Sequence, residues 1–180
     1  MTYQQQFYGW LRNVNKIENQ NKKLSELNSR FGRTRSLKYK KLLLSTMANV
    51  YRQENSYDNA LSIYLSIIDM DENDVVTKVT ISSMYFYDVG DLPQALLWAN
   101  SAIASAKIVK RFLALALGTR GRVALAIGDY ALLQETLFEQ INIDRSLYTV
   151  DSRREWDFFD NADKSKLPRH LVDIIERGRL

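Results

Sequence analysis

The 180-residue chain contains 46% hydrophobic and 26% charged residues, which are ordinary values for a folded globular protein. Only seven Gly and two Pro are present, and this scarcity argues against a turn-rich sandwich or barrel and favours long helices with short connections. The absence of Cys excludes disulfides, thiolate metal sites and cysteine nucleophiles.

The net charge of +4 is unevenly distributed along the chain. Residues 1–41 contain ten Lys or Arg and two Glu, a net charge of +8, and such a segment attracts acidic proteins, nucleic acid or anionic lipid. The first ten residues lack the basic start and apolar stretch of a secretory signal. The longest apolar run, Phe112–Leu117, is far too short to span a bilayer. We therefore expect no membrane span and a cytoplasmic location.

Residues 1–35 are predicted to form an N-terminal amphipathic helix followed by a basic linker, which starts near Phe31. Apolar side chains recur here at close to seven-residue intervals: Tyr3, Phe7, Trp10, Val14, Ile17, Leu24 and Phe31. Such a stripe suits a helix that caps the next element, or a short dimerising coil. A homodimer through this helix is therefore an alternative.

Three similar triplets then follow, each between two segments of helical periodicity. They are Asn55-Ser56-Tyr57, Gly90-Asp91-Leu92 and Gly128-Asp129-Tyr130. Asn and Gly tolerate the left-handed backbone that ends a helix, and Ser or Asp in the next position can cap the helix that follows. The triplets therefore predict three helix–turn–helix hairpins over residues 36–143.

The flanks of these turns share a pattern of small and large side chains. Around the first turn the pattern is Ala48, Tyr51, Ala60, Tyr64 and Ile67; around the second, Ser83, Phe86, Ala95, Ala99 and Ala102; around the third, Gly121, Ala124, Leu133, Leu137 and Gln140. This pattern resembles the tetratricopeptide repeat over about residues 41–142. The resemblance implies an all-α, right-handed superhelical array of helical hairpins with flanking helices.

The spacing of the turns departs from that family. Its repeats are about 34 residues long, whereas the turns here lie 35 and 38 residues apart by their positions in the sequence. An excess of four residues is roughly one helical turn, so the larger deviation predicts one longer helix whose apolar face stays in phase.

Residues 144–180 are predicted to form a connection and a C-terminal capping helix. The apolar positions of that helix are Leu167, Leu171, Ile174 and Ile175. A repeat array needs a terminal element of this kind, with one polar face, to cover its last apolar surface.

The resemblance implies that the first helix of each hairpin lines a concave groove, which would hold a peptide of a partner protein. The residues expected on that surface are Ser45, Asn49, Arg52, Gln53, Thr77, Thr80, Met84, Tyr87, Asp88, Leu115 and Arg122. We expect a protein-binding adaptor or chaperone. The layout is also similar to the translocator chaperones of type III secretion, although those are commonly acidic and this chain has a pI of about 9.2.

Nucleic-acid binding through residues 30–41 is a further hypothesis. Its basic residues are Arg30, Arg33, Arg35, Lys38, Lys40 and Lys41. Contacts of such residues with phosphates would depend strongly on salt.

Catalysis and metal binding are not expected. His170 is the only His, and there is no Cys, so general bases, nucleophiles and metal ligands are scarce. The acidic stretch that starts at Asp69 lacks the Gly and Glu that a calcium loop needs, since Asp74 and Thr80 stand in those positions. No cofactor is expected.

Overall fold

The computed structural model describes residues 2–143 and 163–178. Its α-helices, in chain order, are α1 (Tyr3–Asn15), α2 (Gln20–Arg33), α3 (Leu37–Gln53), α4 (Tyr57–Met70), α5 (Val75–Met84), α6 (Leu92–Val109), α7 (Leu113–Ile127), α8 (Tyr130–Ile141) and α9 (Arg169–Gly178). A π-helical turn, Tyr85–Val89, extends α5, and a 3-10 turn, Lys164–Lys166, precedes α9. The described residues include no strand, and this confirms the all-α prediction for them.

The chain divides into two compact units, unit 1 (residues 1–70) and unit 2 (residues 71–180). In unit 1, α3 packs against α4 and against α2, and α1 packs on α2. In unit 2, α5, α6, α7 and α8 each pack on the next helix, and α9 packs on α8. Among the described residues, no helix has both the length and the apolarity needed to cross a membrane.

The N-terminal segment is two helices, whereas the sequence pattern predicted one. The reason is Asn19, whose side chain accepts a hydrogen bond from the Lys22 amide at 2.9 Å and so starts a new helix. The first half of the predicted basic linker is also helical, because α2 continues to Arg33. Phe7 and Val14 are buried inside unit 1, so neither side chain is exposed for a homodimer contact through this segment.

The three predicted hairpin turns are confirmed. Asn55, Gly90 and Gly128 all have positive φ, at 58°, 79° and 79°. Asp91 and Asp129 cap the helices that follow them, each accepting a hydrogen bond from a backbone amide of the next helix at 2.9 Å. The turns therefore end one helix and start the next. This agrees with the prediction from Asn or Gly followed by a polar residue.

The π-helical turn explains why the first two turns lie 35 residues apart. In the first hairpin the Ser56 amide donates to the Tyr51 carbonyl, five residues earlier, but in the second the Asp91 amide donates to the Tyr85 carbonyl, six residues earlier. One extra residue is thus inserted at the end of α5. Residues of α5 before the insertion therefore correspond to residues of α3 that lie 34 positions earlier. The buried positions agree: Ala48 corresponds to Ser82, which is fully buried, and the predicted Ser83 is only half-buried.

The longer second spacing has the predicted cause. The helix α6 has 18 residues and its counterpart α4 has 14, which is a difference of about one turn. The extra turn keeps Ala102 and Ala106 on the same buried face, together with Ile103. These residues belong to one apolar core with parts of α5 and α7: Val75, Val79, Leu113, Ala116 and Leu117.

The C-terminal helix covers the end of the last hairpin, as predicted. Leu171 of α9 is buried against Leu133 and Leu137 of α8, and Ala124 of α7 belongs to the same cluster. Leu167 is buried there too, but it precedes α9, whereas the sequence pattern placed it within the helix. Ile174 and Ile175 also lie in α9. The predicted connection over residues 144–162 lies outside the described residues.

Candidate protein-binding surfaces

A cleft of about 280 Å³ opens on unit 1 beside α3. Its lining is mostly polar and consists of Asn15, Lys23, Thr46, Asn49, Val50 and Gln53. Asn49 and Gln53 are among the residues expected in the groove, and they lie one helical turn apart on α3. The other four were not predicted from the sequence, because their proximity depends on how α1 and α2 pack against α3.

Asn49 is held in place from the second helix of its hairpin. The Tyr64 hydroxyl of α4 donates to Asn49 Oδ1 at 3.0 Å, so the amide nitrogen of Asn49 is the end left for a ligand. The two other predicted residues of α3, Ser45 and Arg52, are half-buried. This part of the predicted surface therefore contains amide and hydroxyl groups, and Lys23 lines the same cleft.

On unit 2 a second surface joins two consecutive hairpins. Tyr87, in the π-helical turn, is 62% exposed, and the guanidinium carbon of Arg122 in α7 lies 6.0 Å from the centre of its ring. Phe86 packs edge-on against Tyr87, with ring centres 4.7 Å apart. Tyr87 and Arg122 were both predicted, and the structure brings them together. We call this pair the Tyr87–Arg122 surface.

Two predicted groove residues do not face solvent. Thr77 and Met84 are buried, at 5% and 1% exposure. The π-helical turn is the reason, because with a spacing of 34 residues Thr77 corresponds to the buried Leu43 and Met84 to the buried Val50. The prediction aligned them one residue out of register.

The remaining predicted residues of unit 2 are half-buried. The Thr80 hydroxyl donates to the Val76 carbonyl at 2.8 Å, within its own helix. Leu115 packs against the apolar core of α5, α6 and α7. Asp88 lies next to Tyr87 in the π-helical turn. Of these three, only Asp88 is adjacent in sequence to a residue of the Tyr87–Arg122 surface.

Two cations are enclosed in unit 2 at positions where the first hairpin has apolar residues. Lys78 corresponds to Leu44, is 8% exposed, and donates from Nζ to Ser105 Oγ at 2.8 Å. Burial lowers the pKa of Lys78 below its ordinary value of 10.5, and the carboxylates of Glu72 and Asp74 partly oppose that shift. The ammonium group therefore lies inside a helix contact of unit 2.

Arg120 is the second enclosed cation, in the position that Met47 occupies in the first hairpin. Its Nε donates to Thr136 Oγ1 at 2.9 Å and its Nη2 to Glu139 Oε2 at 2.9 Å. Glu139 also pairs with Lys107 of α6. This network links α7 to α8 and to α6, so we assign Arg120 a role in packing.

The predicted basic segment is divided between α2, a short connection and α3. Arg33, Arg35 and Lys38 are exposed, whereas Arg30, Lys40 and Lys41 are half-buried. Lys40 Nζ lies 5.3 Å from the centre of the Phe31 ring. Three of the six predicted cations are therefore freely accessible to a polyanion.

His170 has a local structural contact. Its Nε2 lies 2.9 Å from Gln134 Oε1, at the surface between α9 and α8. Over residues 2–143 and 163–178, no group of three or more His, Asp or Glu is arranged to hold a metal ion.

No protein-family model matches this chain, and no curated protein matches it either. The tetratricopeptide resemblance therefore remains a prediction, based on the three turns and on the 34-residue spacing of buried positions in the first two hairpins.

Proposed function

We propose that this protein binds a segment of another protein, as an adaptor or chaperone, and that the Tyr87–Arg122 surface is its main anchor. One observation carries the proposal: an exposed tyrosine in a π-helical turn lies against an arginine from the first helix of the next hairpin. Tyr and Arg are enriched among the residues that dominate protein–protein binding. π-helical turns are rare and are frequent at functional sites.

The chemistry of the surface favours a peptide with an aromatic or aliphatic side chain. The exposed face of Tyr87 offers apolar contact, and the guanidinium group of Arg122 lies beside the ring. The cleft beside Asn49 on unit 1 is a second polar recess, and its amides can bond to the backbone of an extended peptide. A translocator chaperone would be one protein of this class.

The test is capture of partners by the tagged full chain from cells of its native source, with mass spectrometry and with nuclease treatment. We expect one recurrent protein that resists nuclease and is lost with Tyr87→Ala and with Arg122→Ala. Leu97→Ala is the matched control, because Leu97 is 60% exposed on α6, the second helix of its hairpin. Circular dichroism checks that each variant stays helical.

Retention of the partner by both Tyr87→Ala and Arg122→Ala would contradict the assignment of this surface. Equal loss with Leu97→Ala would contradict it as well, because general exposure would then explain the capture. Isothermal titration of a peptide from the captured protein would measure the contribution of each side chain. We expect about tenfold weaker binding for Tyr87→Ala, which corresponds to about 1.4 kcal/mol.

A further inference from the structure

In unit 1, aromatic rings from α1 and α3 gather beside the C-terminal end of α2. The Phe7 ring is buried beneath them, and its centre lies 4.4 Å from that of Tyr39 in the first turn of α3. Tyr3 lies edge-on to Tyr39 at 5.4 Å, and Tyr8 does so at 6.3 Å. Tyr3 is 50% exposed and Tyr8 37%, so a buried phenylalanine supports two rings that solvent can reach.

A cation is embedded in this cluster. The guanidinium carbon of Arg30, in the last turn of α2, lies 5.3 Å from the centre of the Trp10 ring and 6.0 Å from that of Tyr3. It lies 5.8 Å from the Phe7 ring as well. These contacts fix Arg30 to the aromatic rings. Arg33 follows one helical turn later and is exposed.

Positive charge is concentrated in the segment that contributes Arg30, Lys38 and Tyr39 to this cluster, and carboxylates are scarce there. Residues 27–53 include no Asp or Glu, and residues 30–41 include six Lys or Arg. Lys38 Nζ lies 5.9 Å from the centre of the Tyr39 ring, so charge and aromatic surface are adjacent. Such a patch attracts a polyanion, whose phosphates would displace counterions.

We propose that this aromatic-cationic surface, formed by Tyr3, Tyr8 and Tyr39 with Arg33, Arg35 and Lys38, binds single-stranded nucleic acid. Bases would stack on the exposed tyrosine rings, and the exposed cations would contact phosphates, which is the combination that single strands require. The charges and Tyr39 lie within the basic segment predicted from the sequence, residues 30–41. Folding adds Tyr3 and Tyr8 by packing α1 next to α2 and α3.

The exposed rings favour this ligand over other anionic partners. An anionic membrane would bind through the cations and through exposed aliphatic side chains, yet the exposed rings here are tyrosines, and Leu37 is the exposed aliphatic side chain next to Lys38. An acidic peptide would need the cations but not the rings. The proposal concerns unit 1 and does not depend on the partner proposed for the Tyr87–Arg122 surface.

The experiment is fluorescence anisotropy of labelled oligouridylate and oligothymidylate with the full chain over a salt series. We expect binding at about 50 mM salt that weakens as salt rises, with a logarithmic slope set by the number of phosphates that the protein neutralises. Comparison of the two oligonucleotides separates RNA from DNA as the favoured strand. Phosphatidylserine vesicles and polyglutamate are the competing anions.

Two pairs of variants test the two halves of the surface. Arg33→Ala with Arg35→Ala should weaken binding and reduce the salt slope by about 0.7 for each phosphate that the variant no longer neutralises. Tyr3→Ala with Tyr8→Ala should weaken binding about fivefold or more at every salt concentration, with the slope unchanged. Tyr3→Phe with Tyr8→Phe keeps both rings and should bind as the wild type does.

Lys22→Ala is the matched charge control. Lys22 is exposed on α2, about 12 Å along the helix axis from Arg30, and its loss should change affinity less than twofold. The proposal would be overturned by absence of oligonucleotide binding at low salt, or by equal binding of the wild type and the Tyr-to-Ala pair. Tighter binding to vesicles or to polyglutamate than to either oligonucleotide would also overturn it.

Discussion

The buried residues of the two units differ in size, because unit 2 combines large apolar side chains with many small ones and unit 1 has few small ones. The described part of unit 1 buries Phe7, Tyr64 and several Leu with only two alanines, whereas that of unit 2 buries seven alanines. Seven of the eight buried polar or charged residues in the described ranges also belong to unit 2. Thr34 is the one in unit 1.

The two differences have a common physical cause. Small side chains let helix axes approach closely, so a longer polar side chain on a facing position is enclosed and has to find a partner on the adjacent helix. Ser82 donates to the Ala95 carbonyl at 2.7 Å in this way, and Lys78 donates to Ser105. In unit 1 the buried positions hold mostly larger apolar side chains, and three of its cations, Arg30, Lys38 and Lys40, lie beside aromatic rings.

Filling a close contact in unit 2 should give the largest effect. Ala102→Leu adds three carbon atoms to a fully buried position on α6, and overpacking of this size should lower the free energy of unfolding by about 3 kcal/mol. Ala104→Leu makes the same change at an exposed position of the same helix and should cost about 0.5 kcal/mol or less. Urea unfolding followed by circular dichroism measures both. Equal stability of the two variants would contradict close packing at α6.

Removing an enclosed cation should have the next largest effect. Arg120→Met removes the partner of Thr136 and one of the partners of Glu139. The free energy of unfolding should fall by about 2 kcal/mol. This is less than for a fully buried pair, because Glu139 is partly exposed and keeps Lys107. Arg111→Met removes an exposed arginine from the same unit and should cost about 0.5 kcal/mol or less. The same unfolding measurement applies. A neutral Arg120→Met would mean that the network adds nothing to the packing of α7 on α8.

The smallest effect is a pH dependence. Because burial lowers the pKa of Lys78, the unfolded chain binds more protons than the folded one between that lowered pKa and 10.5. The free energy of unfolding contributed by this group should therefore rise with pH across that window. Lys78→Met lacks the group, so the stability of the wild type relative to this variant should increase from about pH 7 to about pH 10. A difference that stays constant with pH would contradict a lowered pKa of Lys78 in the folded protein.

Much of the secondary structure could be predicted because it depends on local chemistry. Left-handed residues at Asn55, Gly90 and Gly128 end helices, and each is followed by a polar residue in a position to cap. The break near Asn19 was missed, since the apolar stripe of residues 3–31 continues through it at a seven-residue interval. There the capping side chain outweighed the periodicity.

Part of the candidate surface could be predicted as well. Two of the predicted residues, Asn49 and Gln53 on α3, line the cleft. Two others, Tyr87 in the π-helical turn and Arg122 on α7, form the Tyr87–Arg122 surface. Thr77 and Met84 were wrong by one position. A π-helical insertion has no periodic signal in the sequence, so nothing in the spacing shows on which side of it a residue belongs.

Local sequence specifies the hairpin turns and most helix boundaries, because capping and left-handed residues act within a few residues of a helix end. The longer α6 follows from the spacing of the turns, and the concentration of positive charge near the N-terminus can be read directly from the chain. Contacts between distant side chains depend on the tertiary structure. Tyr3 and Tyr39 are 36 positions apart, as are Gln134 and His170, and no local preference specifies such contacts. The burial of Lys78 and Arg120 was likewise decided by the approach of adjacent helices, since a charged side chain is expected at the surface until a packed neighbour encloses it.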